Sequence, residues 1–275
     1  MGSALDDEIG ALLRFAAEKA VMPRWRNLAE GDVEEKAKDD LVTIADREVE
    51  EFLTEALARL APDVAVVGEE ACAADPTVLD LLTGPCWIID PIVGTSNFAS
   101  GQGHFAIMVA LADGGETLAG WIFDPQRQRL CRARKGEGAF MDDERVSATA
   151  GGATPPALAA MTRYMAPSQR SVFEREIVPH YTMAEAPGCA AEQYPLVAIG
   201  GHDIAIYERT LPWDHAAGAL FLNEAGGLCA RQDGTPYRVD SKRKGMIAAA
   251  TPALWEEFVA RLEHSGYAPG GPDEG

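Results

Sequence analysis

Positive charge is what this chain lacks most. Its 275 residues carry 24 Lys and Arg against 43 Asp and Glu, a formal net charge of -19. So acidic a surface repels phosphate backbones and anionic lipid, which argues against nucleic-acid-binding and peripheral-membrane proteins. It leaves room for a small anionic substrate, because bound cations reverse the local sign of a site. Apolar runs of membrane-spanning length are missing too. The N-terminus, MGSALDDEIG, lacks a basic region followed by an apolar core, so no signal peptide is expected. A soluble, cytoplasmic protein is the expectation. Cysteines are few and scattered: Cys72, Cys86, Cys131, Cys189 and Cys229. With no CxxC, a zinc ribbon or thioredoxin-type site is not expected, and the odd count reads as reduced thiols. Internal repeats are absent.

The composition that remains is globular, with 47% hydrophobic and 24% charged residues. The length suits one large domain or two small ones. Ile9, Leu12, Leu13, Ala16 and Ala20 mark a first helix, with Ser3 as its cap and Asp6 three residues on. The charged stretch EGDVEEKAKDD reads as a solvated loop. Thr43 caps a second helix, with Asp46 three residues later and an apolar stripe from Val49 to Leu60. Short strands are expected at 65–67 and 86–89, the second ending at Asp90 and Pro91. From 105 to 140 the pattern predicts an antiparallel meander turning at Asp113-Gly114-Gly115. The small, Gly- and Pro-rich stretch ATAGGATPP, 148–156, is the expected boundary between parts 1–150 and 151–275. Beyond it, strands are expected at 205–207 and 246–250. Helices are expected at 214–224, capped by Asp214, and from Thr251-Pro252 onward. The tail GYAPGGPDEG reads as disordered.

Glu69, Asp90 and Asp214 fall where strands end and helices begin, the places where α/β folds collect ligands. Hard divalent cations such as Mg2+ take several oxygens and share them with phosphate. No compensating Lys or Arg is evident beside the three carboxylates in the sequence. Singly, each has a plainer use, as an N-cap or a solvated turn. They gain force through IDPIVGTSNFASG, in which Gly94 and Thr95 follow the acidic turn. A helix starting there would aim its free N–H groups at a phosphate oxygen, and the Thr95 hydroxyl would orient a water.

GEE at 68–70, WIIDPIVGTSNF at 87–98 and WDHAAGALFLNEAGG at 213–227 resemble, in order, three signature motifs of the inositol monophosphatase family. LVTIADREVE at 41–50 resembles its N-terminal block, and GWIFDPQRQRLCRARKGEGAF at 120–140 its central region. The similarity runs from about residue 5 to 264. It implies an α/β fold of α+β layers, an αβαβα sandwich. The N-terminal α+β part would carry the metal and phosphate motifs. The C-terminal α/β part would carry the third metal motif and the substrate-facing region. It implies a Mg2+-dependent, lithium-sensitive phosphatase, a hydrolase of small phosphomonoesters, and a homodimer. By motif, Glu69, Asp90 and the Ile92 carbonyl would hold the first metal, and Asp90 and Asp214 would share in the second. Metal-activated water, oriented by Glu69 and Thr95 with Asp46 in support, would attack phosphorus. Gly94 and Thr95 amides would hold the phosphate. No covalent nucleophile is needed, and His104 and His215 read as structural.

Two departures stand out. The family motif reads DPIDGT, and this chain has Val93 at the metal-ligand aspartate. Valine cannot ligate. A loss of roughly 3 kcal/mol, typical of a charged-group interaction, would weaken the second cation about a hundredfold and impair turnover. In the substrate-facing block 188–214, Tyr207 stands where a glutamate contacts a sugar hydroxyl, with Glu208 next to it and Ala191 near the ring. Tyr207, Ala191 and Asp214 are therefore the expected substrate contacts. Inositol monophosphate is the expected substrate type. Histidinol phosphate stays open, as does a pseudophosphatase acting as a binding protein. Retention of Glu69, Asp90, Thr95 and Asp214 counts against the last.

Overall fold

The computed structural model describes residues 4–29, 31–37 and 40–270. Helix α1 (Ala4–Ala16) buries Ile9, Leu13 and Ala16 and runs on through a π-helical turn, Ala17–Val21. Its expected cap, Ser3, lies outside the described residues. Asp6 serves another purpose: its carboxylate accepts from Trp121 Nε1 at 3.1 Å and Arg134 Nε at 3.0 Å.

The stretch expected as a solvated loop is instead a hairpin of β1 (Val33–Ala37) and β2 (Asp40–Thr43). A ladder bonds through the backbone, so it forms without the apolar alternation that announces a strand. Helix α2 (Ile44–Leu60) begins at the expected capping box, with Thr43 N donating to Asp46 at 2.8 Å. Its stripe is buried at Val49, Leu53, Ala56 and Leu57.

Then follow β3 (Ala65–Gly68), α3 (Glu69–Ala74), a 3-10 helix at Pro76–Thr83, β4 (Cys86–Val93) and α4 (Thr95–Ser100). The meander comprises β5 (Ala106–Asp113), β6 (Glu116–Asp124), β7 (Arg129–Arg134), β8 (Gly138–Met141) and β9 (Glu144–Val146). Strands β3 to β9 form one seven-stranded sheet in chain order, antiparallel except for the β3–β4 pair. Strand β4 does not stop at Asp90. It continues to Val93 through an irregularity in its register with β5.

A second sheet follows the connection 147–156. In chain order its part of the molecule contains β10 (Ala157–Ala160), α5 (Pro167–Val172), β11 (Thr182–Ala184), α6 (Ala190–Ala198), β12 (Ile204–Tyr207), α7 (Pro212–Glu224), β13 (Leu228–Ala230), β14 (Met246–Ala249) and α8 (Pro252–Ser265). The strand order is β11-β10-β12-β14-β13, with β10 parallel to both neighbours. Helix α7 starts at Pro212 with Leu211 at the cap, so Asp214 lies inside the first turn and is not the expected N-cap.

Strand alternation sets the layers. Trp87, Ile89, Ile107, Val109, Trp121 and Phe123 face α1 and α2. Their neighbours Ile88, Met108, Ala110 and Ile122 face α6 and α7, which also take Ala159, Ala205 and Ala248 of the second sheet. Leu158, Ile204, Ile206, Ile247 and Ala249 turn outward to Phe173, Trp255 and Phe258 of the outer helices. The result is the expected αβαβα sandwich. Its middle layer is tight. A Cβ on Gly120 would lie 2.6 Å from Ala217 Cα, and one on Gly218 would lie 2.0 Å from the Tyr194 ring. The tail is also ordered where described. Tyr267 is buried, its hydroxyl donates to Glu208, and Gly270 N donates to the other Glu208 oxygen at 2.6 Å.

Candidate active site

One cleft opens between the two sheets, lined among others by Glu69, Asp90, Ile92, Val93, Gly94, Thr95, Tyr207 and Asp214. Glu69 is the first residue of α3. It is placed there by Glu50 of α2, whose two oxygens accept from Glu70 N at 2.8 Å and Ala71 N at 2.7 Å. Gly68 must lack a side chain, because a Cβ would lie 2.2 Å from the Glu50 carboxyl carbon. Asp90 sits on β4, 1% exposed. The turn after β4 needs glycine: Gly94 has φ +90°, and a Cβ there would lie 2.8 Å from the His104 carbonyl. Helix α4 starts at Thr95, and the first-turn amides have no acceptor inside the helix. Asn97 pins this helix, its Nδ2 donating to His104 O at 2.7 Å and Pro187 O at 2.9 Å.

The acidic end carries more negative charge than its surroundings offset. Burial, and then the charges of Glu69, Asp214 and Asp46, hold the Asp90 carboxyl well above the usual carboxylate range. Burial, opposed by Lys36 and reinforced by Asp214, pushes Glu69 up to about 8. Burial also pushes Asp46 up to about 7 against its bonds from Thr43. The sequence hid one partner. Lys36, on β1, donates to Glu69 Oε1 at 2.8 Å and Glu70 Oε1 at 2.7 Å. Although burial pulls its pKa down, the two glutamates raise it above lysine's usual value. Arg209 Nη2 lies 3.6 Å from Asp214 Oδ2, a second compensating charge absent from the linear reading.

Most expected site residues come together, though some take other partners. The Thr95 hydroxyl donates to Ile92 O at 2.9 Å. Asp46 is buried below the cleft and holds Thr43, not Thr95. Ala191 is buried in α6 and does not line the cleft, whereas Ala190 and Gln193 do. Glu208 turns its carboxylate away, to Tyr267 and Gly270. Tyr207 stacks on Tyr194 at 5.2 Å, and its buried hydroxyl makes no hydrogen bond. His215 bonds Tyr194 OH and Arg209 O, each at 2.9 Å, and burial lowers its pKa to about 3, so it stays neutral. Val93 is 2% exposed, packs into the middle core, and its carbonyl accepts from Cys189 Sγ at 3.3 Å.

Asp90 Oδ1 is buried without a hydrogen-bond partner. An unpartnered carboxyl oxygen so placed is costly to ionise by itself, and a cation would offset that cost. The donors nearby are hard oxygens, the set that suits Mg2+. Among the described residues, no three His, Cys, Asp or Glu side chains close into one ligand cage. Glu69 and Asp90 with the Ile92 carbonyl fit one cation. Val93 adds no side-chain oxygen beside Asp90 and Asp214, which line the same cleft.

Comparison with known proteins bears on the family and the fold. The model of the Inositol monophosphatase family matches residues 7–267. Inositol-1-monophosphatase of Bacillus subtilis (strain 168) is 32% identical over 230 residues, covering 82% of this chain and 85% of its own. Nus factor SuhB of Pasteurella multocida (strain Pm70) is 30% identical over 234 residues, covering 83% and 84%. The crystal structure of extragenic suppressor protein suhB from Bartonella henselae superposes with a TM-score of 0.80 at 26% identity. That match covers 95% of this chain and 99% of the other.

Proposed function

We propose that this chain, which belongs to the inositol monophosphatase family, is a Mg2+-dependent hydrolase of a small phosphomonoester similar to inositol monophosphate. The buried, unpartnered Oδ1 of Asp90 carries the reading, in a cleft it shares with Glu69, Asp214 and the Gly94–Thr95 turn. Glu69, Asp90 and the Ile92 carbonyl would hold the first cation. Asp90 and Asp214 would share in a weak second. When bound, Mg2+ neutralises the phosphate dianion and makes water a competent nucleophile near neutral pH. The chain's own groups then position the reaction. Amides of Gly94 and Thr95 hold phosphate oxygens. The Thr95 hydroxyl, while donating to Ile92, accepts from the attacking water, which Glu69 orients from the other side. Asp46 braces this corner through Thr43. Asp214 meets a substrate hydroxyl, and Tyr207, whose own hydroxyl is buried, lines the same cleft. Lithium sensitivity and a homodimer belong to the same proposal, and lithium titration and light scattering check them.

Val93 removes an anionic ligand, so turnover is reduced. Phosphate release from inositol, histidinol and sugar monophosphates at saturating Mg2+ tests this, in the parent beside Val93→Asp. The variant is expected to exceed the parent about a hundredfold, the equivalent of one charged ligand. A leading histidinol phosphate rate replaces the inositol assignment. Equal rates in both proteins refute the Val93 argument. Silence from both refutes hydrolysis of these substrates and favours the second reading, a catalytically inactive binding protein. Val93 favours that reading, as does similarity to a protein named as a Nus factor.

A further inference from the structure

One wall at the mouth of the cleft is the connection 208–211, between β12 and α7. Its residues alternate, as extended chain must. Tyr207 and Arg209 line the cleft. The side chains of Glu208 and Thr210, both buried, bond away from it. Thr210 Oγ1 accepts from Arg231 Nη1 at 3.0 Å and donates to Arg243 O at 2.9 Å. The Glu208 carbonyl accepts from Gly245 N at 3.2 Å. One Glu208 carboxylate oxygen accepts from the Tyr267 hydroxyl and the other from Gly270 N at 2.6 Å.

The end of the described chain is thus a strap behind this wall. Tyr267 is buried against Phe173, ring centroids 5.6 Å apart, and Gln169 Nε2 donates to Ala268 O at 3.0 Å. The strap crosses Gly245 backbone to backbone. A Cβ on Gly270, at φ +82°, would lie 2.5 Å from Gly245 N, and one on Gly245 would lie 1.9 Å from Pro269 O. A buried carboxylate is costly unless its hydrogen bonds are made. Glu208 therefore stays in place only while the strap donates to it. With the strap undocked, that carboxylate must reach water, and the connection moves with it.

We propose that Glu208 and Tyr267 are positioning residues, through which the strap 267–270 holds Tyr207 and the 208–211 connection in the shape that receives the non-phosphate part of the substrate. This rests on the phosphatase reading of the acidic end. It adds that a chain end outside the cleft sets how tightly the substrate is held.

Gly270→Ala tests it, because a side chain there forces the strap off Gly245 without touching the cleft. It is compared with the parent, Glu208→Ala, Glu208→Gln and Glu208→Gln/Tyr267→Phe. KM and kcat are measured for whichever inositol, histidinol or sugar monophosphate the parent turns over best. The inhibition constant of inorganic phosphate, which needs only the acidic end, is measured in the same assay. Calorimetric dissociation constants replace both if the parent binds without turnover. A wall in place about a fifth of the time weakens apparent binding about fivefold, the rise in KM expected for Gly270→Ala and Glu208→Ala. The phosphate constant and kcat should stay within about twofold, since the acidic end is untouched. Glu208→Gln should stay near the parent, its oxygen accepting from Gly270 N and its amide donating to the Tyr267 oxygen. Adding Tyr267→Phe removes that acceptor, and KM should rise as in Gly270→Ala. Hydrogen exchange over 204–213 should quicken in Gly270→Ala.

A KM unchanged in both Gly270→Ala and Glu208→Ala overturns the proposal and spares the phosphatase reading. A KM that rises only in step with the phosphate constant does the same, because general loosening weakens both. Glu208→Gln as impaired as Glu208→Ala also overturns it. So does a parent that binds every monophosphate no more tightly than inorganic phosphate. A parent that binds neither the monophosphates nor inorganic phosphate overturns both readings.

Discussion

The two ends of the cleft solve opposite electrostatic problems by different means. At the inner end, Glu69, Asp90 and Asp214 are held close by the ends of β3 and β4 and the first turn of α7. Burial raises the carboxyls of Glu69 and Asp90. At the mouth, Arg163 and Arg209 stand exposed on short connections, sharing one tyrosine ring. Buried charge of one sign is costly and persists where something binds it. Exposed charge of one sign costs little, because water solvates it. The inner end is therefore under strain without a ligand, and the mouth is not. Removing charge at the inner end should trade function for stability, and at the mouth it should have little effect on the fold.

Asp90→Asn gives the largest break in this contrast. The variant keeps the shape and loses the charge. Cation affinity and turnover are expected to fall at least about a hundredfold, the loss of one charged ligand. The comparison is made in whichever of the parent and Val93→Asp turns over faster. Without metal at pH 8, the same variant is expected to melt a few degrees higher, since a buried carboxylate no longer has to ionise. Calorimetric Mg2+ titration and thermal melts read the two effects. A metal-free variant melting below the parent would show that Asp90 is paired by something other than a cation.

The pH dependence of the metal-free protein tests the same strain at intermediate size. Glu69 is raised to about 8 and Asp46 to about 7, so between the ordinary carboxyl range and those values the folded state binds more protons than the unfolded one. Stability is then greatest below about pH 4 as far as these groups are concerned, and it is lost as pH rises through 7 and 8. The melting temperature without metal should drop by about 5 °C between pH 6 and pH 9, from about 2 kcal/mol. Saturating Mg2+, which binds the ionised carboxylates, should flatten or reverse the slope. A slope unaffected by Mg2+ would place the titrating groups elsewhere.

Local features were legible in the linear sequence, and remote pairings were not. The Thr43–Asp46 capping box, the Thr251-Pro252 start of the last helix and the short apolar runs of β4 to β6 all act within a few residues, so their signals survive in a short window. The same reasoning places Glu69 directly after β3, but it puts Asp90 at the end of a strand that runs on to Val93. The β1–β2 hairpin escaped because VEEKA shows no apolar period, and with it went Lys36, whose partners lie 33 and 34 residues downstream. The ordered tail escaped for a similar reason. Gly and Pro in 266–270 read as disorder, yet Tyr267 is fixed by Glu208, 59 residues earlier, and packs 5.6 Å from Phe173. Arg209 near Asp214 is close in sequence. Even so, its pairing depends on where α7 begins, and that start was misplaced by two residues.

Glu50 offers the finest test, because it belongs to neither end and orders only one. It caps α3 from α2 and so fixes the backbone that carries Glu69. In Glu50→Gln one amide nitrogen replaces an acceptor, leaving Glu70 N or Ala71 N without its bond. The cost is about 1 kcal/mol, which in a protein of this size is a melting shift of about 3 °C. If the cap also aims Glu69, turnover falls a few-fold. Stability lost with turnover intact would mean that Lys36 alone is enough to orient Glu69. Turnover lost with stability intact would mean that Glu50 acts on Glu69 through its charge and not by holding the start of α3.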